Sequence, residues 1–112
     1  MLIKVRATFL NTTSAPLTGV RVKLFDKDVL QDDVLGEGTP DEHGLVELIC
    51  NLGDAMSADS PLETKPDLYF VVTEGGKERF RTPVEMNVNF SQVDPVTHEM
   101  NARTVDLGVF RG

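Results

Sequence analysis

Four aspartates crowd one short stretch of this chain, Asp26, Asp28, Asp32 and Asp33 in LFDKDVLQDDVLGEG. Carboxylates are hard oxygen donors, and calcium takes six to eight such ligands, so a loop carrying several acids can close on one ion with little reorganisation. Calcium is therefore the one cofactor this stretch could hold, with those four aspartates as its candidate ligands. An EF-hand is excluded, because the sixth position counted from Asp26 is Gln31 and that loop requires glycine there. The competing expectation is that the four carboxylates are solvated and keep a sheet edge from pairing.

Other chemistry has less to stand on. Cys50 has no histidine near it in sequence, there is no Gly-x-Ser-x-Gly elbow, and no glycine-rich loop opens a helix. His43 falls in a turn and His98 in a loop. Glu74-Gly75-Gly76 reads as a hairpin turn rather than a phosphate cradle. No catalytic residue is expected.

The elements that must position the acids follow from periodicity. Ile3, Val5, Ala7 and Phe9 alternate with Lys4, Arg6 and Thr8, the period of two that marks a half-buried strand. Val20, Val22 and Leu24 alternate with Arg21 and Lys23, predicting a strand over 20–25. The acids interrupt it, since a strand interior would not tolerate so much like charge. A short strand near 35–39 follows, then turn chemistry in Thr39-Pro40-Asp41-Glu42-His43-Gly44, then a strand over 45–50. Asn51 to Lys65 is a long loop, stopped by Pro61 and Pro66. Leu68 to Thr73, LYFVVT, is nearly all apolar, as expected of a central strand covered on both faces. Glu78 to Thr82 returns from the Gly75-Gly76 turn. Val84, Met86, Val88 and Phe90 predict a further strand, and Val105, Leu107 and Val109 share one face of the last.

Seven or eight short strands without a helix predict an all-β, antiparallel, Greek-key sandwich, one domain over 1–112. The 112 residues suffice for a core without staples. Cys50 stands alone and is expected to be a small buried hydrophobe. The net charge of −7 speaks against phosphate-backbone binding, so no nucleic-acid partner is expected. No apolar run reaches the ~20 residues of a membrane span. No signal peptide is seen either, which makes the cytoplasm the expected location.

Pro16-Leu17-Thr18-Gly19-Val20-Arg21-Val22-Lys23-Leu24, followed by Thr39-x-Asp41-x-x-Gly44 and Val46-Glu47-Leu48, resembles the transthyretin-like (prealbumin-like) group, which includes carboxypeptidase regulatory domains. Pro66-Asp67-Leu68-Tyr69-Phe70-Val71-Val72 is similar to the same group. The resemblance implies a transthyretin-like sandwich, a fold that serves carriers, adhesion modules, spacers and one hydrolase. Locally, Asp26-Lys27-Asp28 to Asp32-Asp33 is also similar to the third calcium loop of C2 domains. Such a site draws further aspartates from an earlier loop, and Asn11 to Gly19 holds no acid. The tail Val109-Phe110-Arg111-Gly112 resembles that of the transthyretin-like 5-hydroxyisourate hydrolases, but their strand histidine is absent from KVRATFLN. The expectation is a non-catalytic binding or structural module. It would recognise a protein partner, or a second copy, through loops or a sheet edge, with a calcium-binding C2-like sandwich as the alternative.

Overall fold

The computed structural model describes residues 2–27, 31–51, 66–86, 88 and 104–112. Asp28, His98, Phe90 and nearly all of the loop expected over 51–65 lie outside them. The described residues form seven strands and no helix: β1 (Leu2–Leu10), β2 (Arg21–Asp26), β3 (Asp33–Gly38), β4 (Leu45–Asn51), β5 (Leu68–Glu74), β6 (Lys77–Arg81) and β7 (Thr104–Arg111). They make two sheets, ordered β4-β1-β7 and β3-β2-β5-β6, the layers of a β-sandwich.

The alternation read from the sequence is the alternation that is buried. Ile3, Val5, Ala7 and Phe9 of β1 meet Val22 and Leu24 of β2, Val46, Leu48 and Cys50 of β4, and Leu68, Phe70 and Val72 of β5 in one core. Each such side chain contributes about 1.5–3 kcal/mol of burial. Phe9 sits at the centre, its ring edge-on to Phe70 at 5.2 Å and tilted against Phe110 at 5.7 Å. Cys50 is a buried free thiol, and burial pushes its pKa up. Glycines close one side of the sandwich. A Cβ at Gly36 would stand 3.2 Å from the Cys50 sulfur, and one at Gly38 would stand 3.0 Å from a Leu48 methyl. Their bare backbones let β3 lie close against the inward side chains of β4.

Three expectations need correction. The sandwich is not wholly antiparallel: β7 runs parallel to β1, while the other ladders are antiparallel. A parallel neighbour needs a crossover, and here almost the whole chain lies between the two strands. Val109 does not share the inward face of Val105 and Leu107. A bulge between Asp106 and Val109, with Gly108 at φ +104° and its N–H donating to Asp106 Oδ1 at 2.8 Å, reverses the alternation. Val109 is thus 51% exposed, and Phe110 turns into the core. Finally, the strand expected from Val84 is, over the described residues, an isolated bridge between Leu68 and Glu85 followed by a turn at Met86. Val88 is buried while Met86 is 62% exposed, so the two do not form one inward row.

Candidate functional site

Two of the four aspartates take part in a ladder. Asp26 ends β2, Asp33 begins β3, and they are direct cross-strand partners. Acid in this ladder is tolerated because both sit on its last rung, where the strands part. Asp32 goes elsewhere, as the acceptor of the Tyr69 hydroxyl at 2.5 Å. Asp28 lies outside the described residues. Among the described residues, no group of three or more His, Cys, Asp or Glu is placed to hold a metal ion.

Tyr69 was not among the residues singled out from the sequence. It lies on β5 with its side chain directed away from the core, opposite in phase to Leu68 and Phe70, yet it is only 7% exposed. Its ring stacks on Phe25 of β2, centroids 5.2 Å apart and 10° from parallel, because Phe25 and Tyr69 are partners in the β2–β5 ladder. The Arg81 guanidinium stands 6.0 Å from the Tyr69 centroid, within reach of the ring's negative face. Glu78 holds that guanidinium through two bonds, of 2.6 and 3.1 Å. Burial first, and then the Asp32 carboxylate, push the Tyr69 phenol up to about 12. A phenol so raised keeps its proton at neutral pH and donates it in the hydrogen bond to Asp32. The arrangement ties the segment before β3 down across the outer face of the sheet. The one clue in the sequence was the unbroken apolar run LYFVVT, which required cover for Tyr69 and Val71 without naming it.

The motif Thr39-x-Asp41-x-x-Gly44 is a turn that launches β4. Asp41 Oδ1 accepts the His43 and Leu45 amides at 2.8 and 3.0 Å, and these bonds hold its carboxyl below the usual range. Gly44, at φ +81°, accepts the Phe9 amide, and a Cβ there would run into the Phe9 carbonyl oxygen. The tail residues expected from the resemblance bond to β1 and to the segment after it: Gly112 N–H donates to the Leu10 carbonyl and Arg111 Nε to Ser14 Oγ.

β4 is different in kind. Its seven-residue register against β1 is continuous, from Leu2 opposite Asn51 to Thr8 opposite Leu45. β3, β6 and β7, the other edge strands, each carry a register shift. Leu45 turns both its amide and its carbonyl outward to Asp41, each at 3.0 Å. In an antiparallel strand these directions alternate by residue, so Val46, Leu48 and Cys50 bond to β1, while Glu47, Ile49 and Asn51 present their backbone groups on the open edge. No described strand pairs with that edge. Ile49, beside it, is 68% exposed.

No protein-family model matches this chain, and no curated protein sequence matches it. Among solved structures it is similar to part of a 9R-lipoxygenase from Cyanothece PCC8801, at 20% identity and a TM-score of 0.61, over 99% of this chain and 16% of that one. The likeness shows the fold alone. This chain thus spans about one sixth of the lipoxygenase's length.

Proposed function

We propose that this chain is a non-catalytic binding or structural module that recognises an extended partner through the open edge of β4. The observation that carries the reading is the set of outward amides and carbonyls of Glu47, Ile49 and Asn51 beside an exposed isoleucine. Strand addition to such an edge takes its affinity from main-chain hydrogen bonds and its selectivity from alternate side chains. The residues with most chemical character support a scaffold role: Asp41 builds a turn, Tyr69 and Asp32 tie a segment down, and Cys50 fills core. The finer assignment, a transthyretin-like sandwich, is supported by the Asp41–Gly44 turn standing between β3 and β4, where the resemblance put it. The test is titration of isotope-labelled protein with a peptide of the β4 sequence, LVELICN. Amide shifts are expected at Glu47, Ile49 and Asn51. Shifts confined to loops would move recognition there, and none at all would remove the reading.

A second reading has one observation in its favour. Asp26 and Asp33 are partners on the last rung of the β2–β3 ladder, which brings two of the expected ligand carboxylates to one end of the sheet, and carboxylate oxygens are the donors calcium takes. Melts in millimolar calcium and in EDTA decide it, because a ligand of the native state must raise its midpoint. Coincident melts would discard the calcium site.

A further inference from the structure

We infer that β4 pairs antiparallel with β4 of a second copy of this chain, on a two-fold axis passing through Ile49. The inference rests on the edge reading above and names its partner. Among the described residues, three of the four edge strands are interrupted: β3 at Leu35, β6 at Arg79 and β7 at Leu107-Gly108. Bulges twist an edge and spoil it as a template, and β6 adds Lys77, Arg79 and Arg81. β4 has no such interruption.

Self-pairing has few registers to choose from. The outward backbone groups belong to Glu47, Ile49 and Asn51, since those of Leu45 are already bonded to Asp41. A two-fold axis at Glu47 sets Glu47 against its own copy, a like-charge pair, and offers Ile49 only the occupied groups of Leu45. An axis at Leu48 sets the Glu47 carboxylate against Ile49. Centred on Ile49, by contrast, Ile49 meets Ile49 and Glu47 meets Asn51 at both ends. All three outward residues are used, giving about six backbone hydrogen bonds between the copies. No like charges are opposed, and Arg6, 3.0 Å from Glu47 within each chain, balances that carboxylate. The most exposed large hydrophobic side chain among the described residues is then covered by its own copy. Sheets β4-β1-β7 of the two copies become one continuous sheet. A ladder this short is a small interface, under about 1,200 Å² in total, of the kind that forms and parts readily.

Sedimentation velocity on the full chain across a concentration series, paired with amide exchange, tests this. The sedimentation coefficient is expected to rise toward the dimer value, with protection of the Glu47, Ile49 and Asn51 amides rising in step. Ile49→Lys should abolish both changes and leave the melting curve of the dilute protein in place. Val109→Lys, an equally surface-directed change on the bulged β7, should leave the dimer intact. A monomer throughout the series, or an Ile49→Lys variant that dimerises like the parent, overturns the proposal. A monomer whose β4 amides still shift on adding LVELICN would overturn self-pairing but spare the edge reading; a monomer indifferent to the peptide would remove both.

Discussion

Strands β4 and β6 are edge strands of opposite sheets, each reached through a glycine turn, and the chain treats them differently. β6 follows a two-residue turn in which Gly75 and Gly76 both have positive φ, the geometry that matches the twist of a hairpin. It then bulges at Arg79 and shows solvent a row of charges. β4 follows a turn locked into the body of the protein, with Gly44 pressed on the Phe9 carbonyl, and it runs on without a bulge. One edge is closed to partners by charge and twist. The other keeps an unbroken register along the strand beside it, and an uninterrupted row of backbone groups is what makes an edge a template.

The two turns should therefore respond unequally to the same substitution. Gly44→Ala combines left-handed backbone with a clash against a main-chain oxygen, and should lose roughly 3 kcal/mol in urea denaturation. Gly76→Ala has the same sign of φ but open space around its Cβ, so about 1 kcal/mol is expected. Equal losses would mean that the β4 turn is no more anchored than the β6 hairpin.

The next effect concerns the face beside β6. The Tyr69 phenol is raised from 10 to about 12 by burial and by Asp32. Its native state holds the proton more tightly than the unfolded chain does, so this stabilisation is whole below pH 10 and is lost as pH climbs toward 12. The loss is at most about 3 kcal/mol. In Tyr69→Phe the fall in stability between pH 10 and 12 should flatten, as followed by urea midpoints across that range.

At the β4 end the sign is opposite. Bonds from the Leu45 and His43 amides lower the Asp41 carboxyl from 3.8, so its contribution is present above that pH and drains away as acid reaches the lowered value. Asp41→Asn should blunt the acid limb of the stability profile, and a profile that keeps its full slope would deny Asp41 this part. Smallest of all is the exposed Glu78–Arg81 pair. Surface pairs contribute little, and Glu78→Gln should leave the neutral-pH melting curve superimposable on the parent's.

How much of this was legible in the sequence depended on the range of the interaction. Strands β1, β2 and β4 were readable within a residue or two because alternation records which side chains are buried and no bulge breaks the run, and β5 because an unbroken apolar run marks a strand covered on both faces. β7 misled at one position, since Gly108 admits an extra residue that flips every side chain after it, and Val109 looked as good a core residue as Phe110. The row Val84, Met86, Val88 misled for a related reason: alternation promises a strand only where a neighbour offers hydrogen bonds, and Leu68 offers just one bridge. The acidic cluster showed its composition but not its fate. Asp32 and Tyr69 are distant in the chain, and nothing local announces that a carboxylate will cross the sheet to meet a phenol.

The amino-acid pattern by itself determined that this chain would be a two-layered β protein, which side chains its central strands would bury, and where its Gly44 and Gly75-Gly76 turns would fall, because these follow from backbone pleating and from glycine's freedom at positive φ. Only the tertiary structure decided that β7 would lie parallel to β1, that Asp32 would go to Tyr69 while Asp26 and Asp33 share a rung, and that β4 would be the uninterrupted edge. Each of those depends on contacts between segments far apart in the chain, and a period of two carries no information about which strand lies beside which.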